Sequence, residues 1–251
     1  MSASPSPFGV GLGRLHGVGL GPGDPELVTL KAVRLIRESQ VVAYFAKKGR
    51  PSNARRIASS WIKPGTIELA LEFPITTEIP FDQPAYACEL RPFYDQAARE
   101  IAAHLSRSRD VALICEGDPL FYGSFMHIQA RLKDCFAISV CAGVTGMSGC
   151  WTAAQAPMSW GDDVLTVIPA TLPRDELARR LAETDAAVLM KLGRNLPKVR
   201  AALIDAGLAE RAIYVERGTT ADERVLRLAE KCDDDAPYFA LILVPGEGRR
   251  S

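Results

Sequence analysis

Val18-Gly19-Leu20-Gly21-Pro22-Gly23-Asp24-Pro25-Glu26-Leu27-Val28-Thr29 is the stretch on which the fold turns. An apolar run breaks into a glycine-proline turn and reopens as a helical segment, the outline of a strand, a tight loop and a helix in an α/β protein. A dinucleotide loop would read Gly-x-Gly-x-x-Gly, with an acid about twenty residues further on for a ribose. Here the glycines fall at 19, 21 and 23, and the downstream acid is Glu38, inside a polar helix end. Pro22 also removes a backbone N–H from the part of the loop that would cradle phosphate. Such a loop suits an uncharged or cationic ligand, met by carbonyls and bare backbone, better than a pyrophosphate.

Outward from this turn, strand-like and helix-like runs alternate. The pattern predicts strands over 14–19, 40–45, 66–73, 110–115 and 136–141, and helices over 25–38, 53–61, 83–106 and 123–132. Asp24 is placed to cap a helix that starts at Pro25. A second series follows: a small-residue helix over 143–156, strands over 163–169, 186–192, 212–216 and 238–244, and helices over 174–183 and 195–206. Residues 221–231 fit a helix or a twisted hairpin. The expected organisation is a disordered Ser/Pro/Gly-rich tail over 1–13, an α/β domain over 14–156 and a second over 157–251, divided at Gln155-Ala156-Pro157.

Thirty basic and thirty acidic residues cancel, and the 47% hydrophobic content is ordinary for a soluble globular chain of 251 residues. No strong basic field is present to drive nucleic-acid binding. No apolar run is long enough to span a membrane, and the N-terminus lacks a signal-peptide layout, so a cytoplasmic protein is expected. The six cysteines form no Cys-x-x-Cys pair and only three histidines exist, which points to buried, inert thiols and no metal centre. His16 reads as a satisfied core or edge histidine and His104 as a surface one.

Cys115-Glu116-Gly117-Asp118-Pro119-Leu120-Phe121-Tyr122-Gly123 carries a buried strand straight into a Gly-Asp-Pro turn. Ligands in open α/β sheets sit at the carboxyl ends of strands, where Gly117 permits close approach and Asp118 is either a helix cap or a polar hook. Ala142-Gly143-Val144-Thr145-Gly146-Met147-Ser148-Gly149 is a third such junction, suited to a ligand or to a closely packed helix. Met190-Lys191-Leu192-Gly193-Arg194 and Glu216-Arg217-Gly218-Thr219-Thr220 repeat the pattern in the second half.

Taken in order, these stretches resemble the tetrapyrrole methylases, S-adenosylmethionine-dependent methyltransferases of corrin and sirohaem synthesis, from Arg14 to Gly246. Ala142 stands where the family usually has proline. Three passages are similar to the branch that methylates carbon 20 of precorrin-2 or its cobalt analogue: Lys47 to Arg56, Phe73-Pro74-Ile75-Thr76-Thr77-Glu78, and Gly117 to His127. The resemblance implies two α/β domains with mixed sheets flanking a cofactor cleft, and a homodimer acting on a small-molecule tetrapyrrole. It implies S-adenosylmethionine contacts at Pro22, Gly117, Asp118, Phe121, Thr145, Gly146, Met190, Lys191, Leu192, Gly218, Thr219 and Ala240.

A sulfonium cofactor carries no phosphate, so the missing N–H of Pro22 costs nothing. Methyl transfer chiefly needs alignment and the exclusion of water. The nucleophile that the resemblance supplies, an electron-rich meso carbon, needs little activation. Tyr122 and His127 are the candidates for handling the departing proton or orienting the substrate, although a tyrosine in such a turn is as often a packing residue. The carboxylate arms of a tetrapyrrole want Lys and Arg, for which Lys47, Lys48, Arg50, Arg55 and Arg56 are the candidates, unless the run is simply a solvated loop. The alternatives are a methyltransferase of the same fold acting on RNA or protein, a nicotinamide-dependent oxidoreductase and a non-catalytic binding module.

Overall fold

The computed structural model describes residues 11–74 and 84–248, with the side chains of 84–87 left aside. The expected tail therefore lies outside the described residues up to position 10, as do Ile75, Thr76, Thr77, Glu78 and the start of the helix expected at Gln83. The chain forms two compact units, Met1–Thr145 and Gly146–Ser251.

The first unit carries β1 (Leu15–Gly19), α1 (Leu30–Glu38), β2 (Val41–Lys47), α2 (Asn53–Ile57), β3 (Ile67–Phe73), α3 (Pro84–Leu105), β4 (Val111–Cys115), α4 (Phe125–Leu132) and β5 (Ile138–Cys141). Its sheet runs β3-β2-β4-β1-β5, and every pairing in it is parallel. Period-two alternation divides the strands between two cores. Leu15, Ala43, Leu113 and Cys115 face α3 and α4, whereas Val18, Val42, Ala112 and Ile114 face α1 and α2.

The helix expected from Pro25 is broken. Asp24 Oδ1 accepts the Glu26 N–H at 2.8 Å and caps only a 3-10 turn over Pro25–Leu27. Thr29 then caps α1, its Oγ1 accepting the Ala32 N–H at 3.1 Å. With Val28 extended between the two caps, Ala32, Leu35 and Ile36 line the buried face of α1.

The second unit carries α5 (Gly146–Ala153), β6 (Leu165–Pro169), α6 (Arg174–Ala182), β7 (Ala186–Met190), α7 (Leu196–Asp205), β8 (Ile213–Glu216), β9 (Arg224–Arg227) and β10 (Ala240–Val244). The boundary thus falls one helix earlier than the expected 156/157. Cys150 and Met147 of α5 pack with Val215 and Leu241 on this unit's sheet. Residues 224–227 resolve the ambiguous segment as the second strand of a hairpin, antiparallel to β8. Only this sheet is mixed, with order β6-β7-β10-β8-β9 and β10 antiparallel to both neighbours. α6 and α7 cover one face and α5 the other.

Of the cysteines, Cys115, Cys141 and Cys150 are buried as expected, whereas Cys88, Cys135 and Cys232 are exposed. Among the described residues no helix is long and apolar enough to cross a membrane, and no group of three or more His, Cys, Asp or Glu is placed to hold a metal ion.

Candidate active site

In the first unit β1 and β4 are neighbours, with Gly19 opposite Cys115. The chain leaves β1 for α1 on one face and leaves β4 for α4 on the other. Divergence from adjacent strand ends opens a crevice at the carboxyl edge, where doubly wound sheets take ligands. Three loops meet there. The Leu20 N–H donates to the Cys115 carbonyl at 2.9 Å, and Gly21 and Gly117 exchange backbone hydrogen bonds at 2.7 and 3.4 Å. A Cβ on Gly143 would stand 2.1 Å from the Gly117 oxygen, and one on Gly19 would stand 2.5 Å from the Gly143 nitrogen. These glycines are therefore required for backbone to pack on backbone. Asp118 completes the knot: Oδ1 accepts the Leu120 N–H at 2.8 Å and Oδ2 accepts the Gly143 N–H at 3.0 Å. It is a cap and a staple between loops before it is a hook for any ligand.

Beyond Asp118, Tyr122 sits at φ +54°, in the left-handed region that a bulky side chain rarely occupies, and its side chain is exposed. His127 stacks on the Tyr94 ring at 4.2 Å, and the Arg131 guanidinium lies 5.7 Å from the centre of the same ring. Burial, then the charge of Arg131, holds the His127 imidazole below its ordinary pKa. His127 is thus held as a neutral imidazole, the form that can accept a proton, with its ring stacked on Tyr94. His104, expected at the surface, is half-buried with Nδ1 at 3.4 Å from Arg109. His16 is buried and bonds Ser139 at 2.6 Å, as expected of a satisfied core histidine.

The basic run follows β2, the strand beside β4. Lys48, Arg50 and Arg56 are exposed and Lys47 half-buried. Arg55, expected to meet a substrate, is already engaged: Glu68 on β3 clamps its guanidinium at 2.8 and 2.9 Å. The guanidinium at the same time holds the Glu68 carboxyl below its usual range. Glu116, which the sequence reading passed over, ties α2 to the loop after β4 by accepting the Ala54 N–H at 3.1 Å. Its signal was an acid set directly at the end of an apolar strand run.

In the second unit, non-glycine residues with positive φ gather in the loops after β7 and β8: Lys191 at +60°, Arg217 at +47° and Thr219 at +72°. Such strain clusters at ligand-binding sites. Burial lowers the pKa of Lys191. The Thr219 N–H donates to Glu223 at 2.9 Å, while its Oγ1 is buried without a hydrogen-bond partner. Gly218 packs against Cys150, where a Cβ would meet the backbone at 3.0 Å. Gly146, by contrast, has nothing within 4 Å of where a Cβ would stand. The Met190 carbonyl accepts the Ala170 N–H at 2.7 Å. The side chains of Leu192 and Ala240 are buried in the core beneath α6 and α7, which leaves their backbone for the contacts expected of them. Pro22, Phe121 and Thr145 are half-buried at the loops where they were expected to serve.

Residues 14–231 match the family model of the tetrapyrrole (corrin/porphyrin) methylases. The chain belongs to that family. It is 54% identical over 238 residues to a protein of Sinorhizobium sp. named precorrin-2 C(20)-methyltransferase, covering 95% of this chain and 97% of that one. A cobalt precorrin-4 methyltransferase, CbiF, shares the fold with a TM-score of 0.70 at 24% identity, over 92% of this chain and 94% of its own. The uroporphyrin-III C-methyltransferase of Thermus thermophilus, solved with S-adenosylhomocysteine, gives 0.65 at 24% identity, over 92% and 96%.

Proposed function

We propose that this tetrapyrrole methylase transfers a methyl group from S-adenosylmethionine to carbon 20 of precorrin-2, giving precorrin-3A in cobalamin biosynthesis. The observation that carries the reading is the 54% identity, across nearly the whole of both chains, to a protein bearing that activity in its name. The residues present fit the cofactor. Pro22 offers no N–H to a phosphate, and the Thr219 hydroxyl is buried and in want of a partner. The proposed contacts are Pro22, Gly117, Phe121 and Thr145 in the first unit, and Gly146, Lys191, Gly218, Thr219 and the Met190 and Leu192 backbone in the second.

When bound, S-adenosylmethionine supplies an electrophilic methyl group on a sulfonium. The chain's own task is to orient the meso carbon toward that methyl and to keep water out. Lys47, Lys48, Arg50 and Arg56 hold the carboxylate arms, and Arg55 and Glu68 hold the helix that carries Arg56. Carbon 20 loses its proton after transfer, a step that needs no strong base. We further infer a cytoplasmic homodimer with no nucleic-acid partner, which the balanced charge favours.

Incubating the protein with S-adenosylmethionine and precorrin-2, and locating the new methyl by NMR, tests the reading. A methyl on carbon 20 is expected; one on another carbon, or turnover of the cobalt complex alone, would replace the assignment.

A further inference from the structure

The turn after β4 and the start of α4 expose apolar side chains. Leu120 is 48% exposed, Tyr122 47% and Met126 37%. These three fall within one pinned segment. Asp118 holds it at two backbone N–H groups, the Phe121 N–H donates to the Asp118 carbonyl at 3.2 Å, and the Met126 N–H donates to the Gly123 carbonyl at 3.3 Å. Phe121 buttresses the Tyr122 ring edge-on at 4.9 Å. The left-handed backbone at Tyr122 costs on the order of 1 kcal/mol and sets an aromatic side chain at the surface. Exposed apolar side chains held on one fixed segment mark a binding surface.

Its surroundings say what it binds. β2 lies beside β4, about 5 Å away in the hydrogen-bonding direction, so Lys47, Lys48 and Arg50 follow the neighbouring strand end. The Glu116–Ala54 hydrogen bond ties the loop after β4 to the first turn of α2, which that basic run leads into. An apolar floor with cations along one side complements a flat apolar ring system edged with carboxylates.

We propose that Leu120, Tyr122 and Met126 form the floor on which one face of the substrate macrocycle lies, with Tyr122 acting through its ring rather than as an acid or base. The floor fixes which meso carbon meets the methyl donor, so it sets position as well as affinity. This inference rests on the reading of the substrate given above.

The test measures KM for precorrin-2, its equilibrium binding by absorbance titration and the affinity for S-adenosylmethionine. Tyr122→Ala raises KM about 10-fold and Leu120→Ser several-fold, each leaving cofactor affinity unchanged. Tyr122→Phe restores KM, because the ring and not the hydroxyl is needed. Three results overturn the floor while the active wild type preserves the function: KM unmoved in both variants, no rescue by phenylalanine, or a changed oligomeric state with KM intact, which would make the patch a self-association surface. If the wild type binds precorrin-2 without methylating it, the reaction is misassigned, and loss of binding in Tyr122→Ala still sustains the floor. A wild type that neither binds nor turns over precorrin-2 overturns both.

Discussion

Replacing Gly143 with alanine puts a methyl group 2.1 Å from the Gly117 oxygen and 2.9 Å from the Gly19 Cα. Carbon–oxygen contacts settle near about 3.3 Å, so the neighbours must part by more than about 1 Å. Neither neighbour is a pliable side chain. Gly117 is held to Gly21 on both sides, and Gly19 ends β1, which is paired on both edges, to β4 and β5. The loop bearing residue 143 must therefore lift, which breaks the 3.0 Å hydrogen bond from its N–H to Asp118. Overpacking costs about 1–3 kcal/mol and the lost hydrogen bond to a carboxylate about 1.5–3 kcal/mol, roughly 3–6 kcal/mol together. At about 2–4 °C per kcal/mol, Gly143→Ala should lower Tm by about 6–24 °C in calorimetry. Gly146→Ala, where nothing lies within 4 Å, is the control: Tm holds or rises with helix propensity, while affinity for S-adenosylmethionine falls. A Gly143→Ala protein melting within about 2 °C of wild type would refute the packing argument.

Arg56→Ala should raise KM for the substrate, whereas Arg55→Ala and Glu68→Ala should affect it equally and no further in combination, since either change undoes the same clamp. The double-mutant coupling between Arg55 and Glu68 in urea unfolding should not exceed about 1 kcal/mol, because their side chains are 39% and 32% exposed; a coupling several times larger would contradict this. Burial holds His16 below its ordinary pKa, so the unfolded chain binds the proton more tightly. His16 therefore costs nothing above the unfolded value of about 6.5, and stability falls as pH drops below it. Urea midpoints at pH 7.5 and 5.5 should diverge in the wild type and converge in part in His16→Gln; an undiminished difference would exclude His16 as the source.

The layered α/β fold was legible because Leu15, Val18, Ile114 and Leu189 belong to apolar runs of strand length separated by amphipathic or turn-rich stretches. The break at Val28 was not, since Asp24 and Thr29 are equally good caps and only the entry angle of α1 onto the sheet chooses between them. The domain boundary was misplaced because Pro157 is a stronger local signal than the packing of Cys150 on Val215, a contact distant in sequence. For the site, glycine spacing and Pro22 conveyed what kind of ligand the loop would refuse. Which charges remain for a substrate was hidden, because Arg55 meets Glu68 only through the pairing of β2 with β3. The stacking of His127 on Tyr94 likewise needs α3 laid against α4. The orphaned Thr219 hydroxyl is a property of packing that no motif carries.

The central position of β10 bears on how the chain matures at the ribosome. The first unit has all of its strands once residue 141 has been made, whereas the second must wait for residues 240–244 to enter between β7 and β8. β8-β9 is complete only at residue 227, so at about 5–20 residues per second there are about 1–3 s in which β6-β7 and β8-β9 exist as two open ribbons with bare inner edges. Each bare edge is a template for mispairing with a neighbouring nascent chain. Slow synthesis across this interval should therefore reduce the yield of folded second unit far more than that of the first.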